Sequence, residues 1–351
     1  MDGPFGDPHL PTAYAPGHAA GRASGPTAGP ATARVLAITV NYRTADLAVR
    51  ALASLAGERA RLGGLTAVVV ENASGDGSGE RIGAAIRQHG WGAWARVLAS
   101  PINGGFGAGN NLALREALAA PEPPDYVLLL NPDATVDPGA VEALVDFLAR
   151  TPHAGLAGPR TEIGRGHPRG TAFRFPGILN SLDEGLHFGP LTRLLGRWQL
   201  APPPRAEAHA TDWVSGGCML VRREVLAEVG LFDEGYFLYF EEVDLSLRAA
   251  HAGWESWFVP AATIVHESGA STGATGGHEL ERRMPRYWFE SRRRYFLKNR
   301  GRLVCLAADL AWAGGNALWN LRRLLTRAPR REPPGFWSDF VRFNLLGMRL
   351  P

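Results

Sequence analysis

The sequence predicts an α/β fold in which a mostly parallel sheet is flanked by helices, with a helical extension at the C-terminus. Three observations predict it. Short apolar runs alternate with segments of helical spacing from residue 35 to residue 150. Most of these runs end in polar clusters of Asn, Asp, Glu, Ser and Gly, where ligands of open α/β sheets bind. Basic residues gather at the end of the chain: residues 281–351 hold 16 Lys and Arg against 5 Asp and Glu, in a protein of 351 residues whose formal net charge is only +3.

Residues 1–33 carry almost no large apolar side chains and are expected to form a disordered leader. Residues 34–280 are expected to form the α/β domain and 281–351 a basic amphipathic extension. Val35–Val40 is short and apolar enough for a buried strand. Thr44–Glu58 has helical spacing through Leu47, Leu52 and Leu55. Leu65–Val70 reads as a strand, Ser78–His89 as a helix, Arg96–Ala99 as a strand and Ala108–Ala119 as a helix. Tyr126–Leu130 is a further strand, and Pro138–Arg150 a helix with proline at its start. Residues 161–210 dissolve into Gly, Pro, Arg and aromatics and read as loops that would shape an acceptor site. Trp213–Val221 reads as a strand, Arg223–Val229 and Glu241–Ala252 as helices, and helical spacing resumes from Pro285 to about Arg327.

Composition narrows the function. With 45% hydrophobic and 20% charged residues the body can bury a core. Two cysteines, Cys218 and Cys305, make neither a disulfide framework nor a metal-ligand spacing, so a reducing compartment is expected. No apolar run reaches the ~18 residues of a clean transmembrane helix, and the N-terminus lacks the basic-then-apolar pattern of a signal peptide. The basic end points to an anionic partner. Nucleic acid is disfavoured because the tail interleaves Leu and Trp at helical spacing and no nucleic-acid-binding module is recognisable.

The polar clusters carry the chemistry. The first strand ends in Asn41-Tyr42-Arg43 and the second in Glu71-Asn72-Ala73-Ser74, where a carboxylate would accept a base N–H; a polar turn with a helix N-cap is the plain alternative. Asn103-Gly104-Gly105-Phe106-Gly107-Ala108-Gly109-Asn110 follows the third strand and suits phosphate binding at a helix N-terminus. It is a poor dinucleotide fingerprint, because Asn110 stands where the third glycine belongs. Asn131-Pro132-Asp133 offers an acid on a stiff turn, suited to a hard divalent cation held against a diphosphate. Glu241, Glu242 and Asp244 crowd the first turn of a helix. Dipole complementarity explains two such acids, but not the aromatic run Tyr236-Phe237-Tyr239-Phe240 before them. His266 follows the apolar pair Ile264-Val265, where a histidine is usually structural.

Together, the ordered motifs Val-Asn-Tyr, Glu-Asn-Ala-Ser-Gly-Asp-Gly-Ser, Asn-Gly-Gly-Phe-Gly-Ala-Gly-Asn-Asn, Leu-Asn-Pro-Asp, Ser-Gly-Gly-Cys-Met, Phe-Asp-Glu and Phe-Glu-Glu-Val-Asp-Leu resemble inverting glycosyltransferase family 2, and within it the bacterial rhamnosyltransferase-like members. The resemblance covers roughly Val35 to Gly269. It implies a GT-A fold, a nucleotide-diphosphate sugar donor with dTDP-rhamnose the first choice, and a cell-surface polysaccharide or lipid-linked acceptor. It places Asn41, Tyr42, Glu71, Asn72, Asn103, Gly105, Asn110 and Asn131 at the donor. Asp133 and His266 would hold Mg²⁺ or Mn²⁺, and Glu242 would be the base, with Glu241 and Asp244 beside it. Trp213, Ser215, Gly216 and Tyr239 would meet the acceptor. Glu71 and Glu242 stand where Asp is usual; each keeps the charge and adds a methylene. A catalytically silent nucleotide-sugar-binding scaffold is the other reading.

In the tail, Trp312 and Trp319 are expected at a water–lipid interface, with arginines at both ends of the apolar stretch. That implies a cytoplasmic protein held peripherally on the cytoplasmic face of the cell membrane. Packing on the catalytic domain, or on a second copy in a homodimer, is the alternative for the same helices.

Overall fold

The structure, a computed structural model, describes residues 29–164, 166–203, 205–267 and 282–347. The leader up to residue 28 and the expected boundary at residues 280 and 281 lie outside the described residues. The strands are β1 (Arg34–Asn41), β2 (Gly64–Glu71), β3 (Ala95–Ala99), β4 (Tyr126–Leu130), β5 (Ala134–Val136), β6 (Ala154–Glu162), β7 (Pro168–Arg169), β8 (Ala172–Phe173), β9 (His209–Thr211), β10 (Trp213–Val214), β11 (Cys218–Arg222) and β12 (Glu255–His266). The helices are α1 (Ala45–Glu58), α2 (Ser78–Gln88), α3 (Gly105–Leu118), α4 (Ala140–Arg150), α5 (Ile178–Leu186), α6 (Gly189–Leu194), α7 (Arg223–Val229), α8 (Glu241–His251), α9 (Arg286–Asn299), α10 (Gly301–Thr326) and α11 (Phe336–Phe340).

The main sheet runs β3-β2-β1-β4-β11-β6-β12-β5. β1, β2, β3 and β4 are mutually parallel, as are β6 and β12, while β11 runs antiparallel between β4 and β6. Alternation along the strands builds both cores. Val35 and Ala37 of β1 join Leu52, Ile82 and Leu144 on one face, whereas Leu36 and Ile38 join Leu114, Leu226 and Leu245 on the other. Buried Glu58 ends α1 and accepts hydrogen bonds from the amides of Gly139 (2.6 Å) and Val141 (3.0 Å). It thereby satisfies orphan donors at the start of α4.

Three expectations change. Trp213–Val221 is not one strand. Ser215-Gly216-Gly217 interrupts it, leaving β10 in a small sheet with β8 and β11 in the main sheet. Residues 161–210, read as loops, contain β7, β8, β9, α5 and α6. Trp312 and Trp319 do not face outward. Both are buried, Trp312 stacked on Phe340 at a centroid distance of 4.1 Å and Trp319 edge-on to His187.

The C-terminal helices pack on the sheet domain. Tyr295, Phe296, Cys305 and Ala308 share an apolar cluster with Val243 and Leu247 of α8. Phe289, Trp312, Phe336 and Phe340 form a second cluster behind it. Arg292 pairs with Asp309 in the interior, tying α9 to α10.

Candidate active site

Strand polarity sets the site. The carboxyl ends of β1, β2, β3 and β4 lie on one edge, and the antiparallel β11 begins there. The loop before β11 therefore meets the ends of the parallel strands, and the Asn131 amide donates to Gly217 O at 2.9 Å.

Asn41 is buried and organises the first loop. Its Oδ1 accepts from the Thr44 amide and hydroxyl, and its Nδ2 donates to Ser74 Oγ. Ser74, to which the sequence pattern assigns no role, also accepts from the Arg43 amide at 3.0 Å. Arg43 and Ala73 follow β1 and β2 with φ of 57° and 56°. Such left-handed backbone is costly outside glycine and clusters at functional sites. Tyr42 is half-buried with the Arg43 guanidinium 5.1 Å from its ring. Glu71 is half-buried and accepts from the Ser74 amide at 2.8 Å.

Asn72 Nδ2 donates to Asn103 Oδ1 (2.9 Å) and Gly105 O (3.2 Å), joining the second strand end to the glycine loop. Gly105 is the first residue of α3, so the helix begins three residues before its expected start at Ala108. The glycines explain why. Gly105 has φ +86° and its missing Cβ would fall 1.7 Å from Phe237 O, while one at Gly109 would fall 2.7 Å from Val40. No side chain fits either place, and the Phe106 amide donates to Phe237 O at 3.0 Å. The loop before α8 is thus docked on the first turn of α3. Asn111 clamps the same loop through Phe232 and Glu234, a role not read from the sequence.

Tyr239 and Phe240 adopt φ of 71° and 69°, a strained pair immediately before Glu241. Tyr239 stacks on Tyr287 of α9. Trp213 stacks on Phe173 at 4.3 Å and donates to Arg174 O, so its indole N–H is already engaged. Ser215 Oγ accepts from the Gly217 amide at 3.3 Å. A Cβ at Gly216 would lie 3.6 Å from both Glu242 and Phe106, and one at Gly217 would lie 2.7 Å from the His266 ring. The Ser-Gly-Gly interruption therefore sits between Glu242 on one side and His266 on the other.

At the fourth strand end His266 Nε2 lies 3.0 Å from Asp133 Oδ1 and 3.5 Å from Asn131 Nδ2. Asp133 is buried at 7% exposure. Among the described residues no group of three or more His, Cys, Asp or Glu could hold a metal ion. One carboxylate and one imidazole side by side nevertheless fit a divalent ion whose remaining ligands are diphosphate oxygens and water, since such ions use few protein ligands at phosphate sites.

Glu241 and Glu242 do not behave as dipole complementarity alone suggests. Burial pushes Glu242 above the usual carboxylate range, and the amides of Glu242, Gly216 and Val243 oppose that only in part. Glu241 is pushed well above its usual range by burial and by the charge of Glu242. Desolvation outweighs the helix N-terminus. Both carboxyls are thus raised, Glu241 the more strongly. The expected acid limb of activity rises with pH as Glu242 loses its proton, with an apparent pKa above the ~4.3 of a free glutamate. A pH profile of kcat/KM measures it.

Asp244, grouped above with the two glutamates, is a correction. It is fully buried and accepts from Arg248 (2.9 Å), Lys298 (2.9 Å), Asn299 (3.0 Å) and Tyr236 (3.3 Å). Burial raises its pKa, but the bonds from Lys298, Asn299 and Arg248 outweigh this and hold it below the usual range. It is a structural anchor. Lys298, the chain's single lysine, also binds Asp233 at 2.7 Å, so α9 braces both the start of α8 and the loop before it. Lys298→Met is expected to lower stability by about 1–2 kcal/mol at neutral pH, a part-exposed bridge to a buried acid. Asp244 has a depressed pKa, so the bridge acts above about pH 4 and fades as acid protonates it. Denaturant midpoints at pH 7 and pH 3 test this, and an equal difference at both values rules the bridge out.

The glycosyltransferase-like family 2 profile matches residues 33–289. The chain belongs to that family. This family 2 glycosyltransferase is 33% identical over 250 residues to the N-acetylglucosaminyl-diphospho-decaprenol L-rhamnosyltransferase of Mycobacterium tuberculosis, covering 67% of this chain and 76% of that protein. It is 29% identical over 166 residues to the rhamnosyltransferase WbbL of Escherichia coli K12, covering 46% of this chain and 60% of that one. A mannosyltransferase from Pyrobaculum calidifontis, solved with GDP-Man and Mn2+, superposes with a TM-score of 0.53 at 16% identity, over 87% of this chain and 78% of that one. The likeness confirms the GT-A fold. A concavity of about 680 Å3 beside Arg150, Arg160, Arg169 and Arg205 contains none of the candidate residues.

Proposed function

We propose that this glycosyltransferase moves a sugar, rhamnose from dTDP-rhamnose as first choice, onto a lipid-linked or polysaccharide acceptor with inversion at the anomeric carbon. The observation that carries the reading is a set of unsatisfied oxygens. Asn72 Oδ1, Asn110 Oδ1, Glu241 Oε2 and Glu242 Oε2 are buried without a partner among the described residues. Buried polar atoms are rarely left so, and four acceptors around the glycine loop and the start of α8 suit a polar ligand. Asn72 and Asn110 belong to the glycine-loop turn, through Gly105 O and Phe106 O. Glu241 is packed near Gly107 of the same turn.

Asn72, Asn103 and Gly105 shape the donor pocket, and Glu71 accepts from the base. Asp133 and His266 would hold Mg²⁺ or Mn²⁺. Bound there, the ion supplies Lewis-acid stabilisation of the departing diphosphate. Glu242 accepts the proton of the acceptor hydroxyl as that oxygen attacks from the face opposite the diphosphate. Burial disfavours the charged form of Glu241 beside it. Tyr239 and Phe237 wall the cleft and exclude water.

Thermal denaturation of the purified chain with a panel of nucleotide sugars, with and without Mn²⁺, tests the reading. A donor at 100-fold over its Kd stabilises by about 2.7 kcal/mol. dTDP-rhamnose with Mn²⁺ is expected to give the largest shift, and the same donor is expected to turn over with a polyprenyl-diphosphate sugar. A silent scaffold would show the shift without turnover. If no nucleotide sugar raises the midpoint, the donor site is misassigned.

A further inference from the structure

Helix α10 buries one side and leaves the other bare. Cys305, Ala308, Trp312, Asn316 and Trp319 face the protein. On the opposite side Leu303, Leu306, Leu310, Leu321 and Leu324 recur at helical spacing, and each is between 49% and 84% exposed. The exposed residues Gly314 and Ala317 continue the stripe, so no polar side chain breaks it. The only acid of the helix, Asp309, is buried against Arg292. The exposed charges of α10 and of the residues just after it, up to Arg331, are all positive: Arg302 near its start, Arg322 near its end, and Arg327, Arg330 and Arg331 just beyond.

An apolar stripe of this length is unusual on a monomer surface. Charge selects its partner. A second copy laid on it, parallel or antiparallel, brings arginine against arginine at the ends with no acid on the stripe between them. An anionic bilayer brings phosphate to every arginine and acyl chains to the leucines. Among the described residues no helix is long and apolar enough to cross a membrane, which leaves one lying along it. We propose that the leucine face of α10 lies flat in the headgroup region of an anionic membrane, with the arginines on lipid phosphates. The tryptophans, expected to make this contact, belong to the interior instead. The start of α10 adjoins the site, because Asn299 donates to Asp244 in the first turn of α8, beside Glu242. The contact depends on the proposed function only for its purpose, which is bringing a lipid-borne acceptor to Glu242.

The test is flotation of the full chain, without donor, on vesicles of phosphatidylglycerol and phosphatidylcholine in equal parts, and on phosphatidylcholine alone. The parent is expected to float with the anionic vesicles and far less with the neutral ones. A Leu303→Ser, Leu310→Ser, Leu321→Ser variant is expected to lose about tenfold or more of the bound fraction, and Arg302→Glu with Arg322→Glu to lose most of it. All five positions are exposed, so folding is not at stake. The proposal is overturned if the parent stays at the bottom or the leucine variant floats equally. It is also overturned if the parent is a dimer by light scattering that the leucine variant dissolves while neither floats. Transfer to a water-soluble acceptor is assayed separately. Its absence in the parent would sink the enzymatic reading and leave the flotation result standing.

Discussion

Glu242→Gln is expected to lower transfer by a factor on the order of 10² or more while leaving donor affinity where it was, the mark of a lost general base. Glu242 lies in the first turn of α8, one residue beyond a pair in left-handed backbone, after a loop docked on α3 at Gly105. Its position is therefore over-determined from several sides, as a proton acceptor needs. Glutamine keeps the volume and removes only the basic oxygen. Glu241→Gln is the control. It replaces a carboxyl whose charged form burial disfavours, so it is expected to retain most activity and to fold at least as well, because a desolvated ionisable group is gone. Single-turnover rates and donor titration separate the two effects. A dead Glu241→Gln beside a silent Glu242→Gln would move the base one residue earlier.

The first half of the sheet was legible because its strands are apolar on both faces. Tyr126–Leu130 matches β4 to the residue, and β1 and β2 extend one residue beyond each end of their expected runs. Later strands were hidden by glycine and proline. β6 reads Ala-Gly-Leu-Ala-Gly-Pro-Arg, a poor strand on propensity. Tertiary packing dictates those glycines. A Cβ at Gly155 would fall 2.6 Å from Val225, and one at Gly158 2.6 Å from Val214. β12 carries Pro260 and shifts register between Val259 and Thr263, which broke its pattern.

The candidate residues were legible as motifs but not as neighbours. Nothing in the spacing said that Gly217 touches His266, that Asn72 reaches Gly105, or that Asp244 turns away from Glu242 to meet Lys298. The tail failed for a different reason. α10 is apolar on two sides, so periodicity could not say which side the protein covers. The tryptophans, larger and more easily packed, took the interior.

Asp133→Ala is expected to abolish the metal-dependent part of donor binding and to lower transfer at saturating donor by about 10² or more, the scale of a lost electrostatic stabiliser at the departing group. The reason lies in the neighbourhood of the carboxylate. Asp133 is buried on a proline turn at the end of β4, held through its carbonyl by the Glu267 amide and facing His266 Nε2 at 3.0 Å. Deleting its side chain leaves the backbone bond in place, so the turn and the strand end are expected to persist. The readout need not be activity. Titration of Mn²⁺ with nucleoside diphosphate present, followed by water-proton relaxation, reports the ion directly. The parent is expected to form a ternary complex, Asp133→Ala to form none, and His266→Ala to form a weaker one. A variant that binds Mn²⁺ and diphosphate as the parent does would place the ion elsewhere. The Asp133–His266 contact would then be a plain structural hydrogen bond.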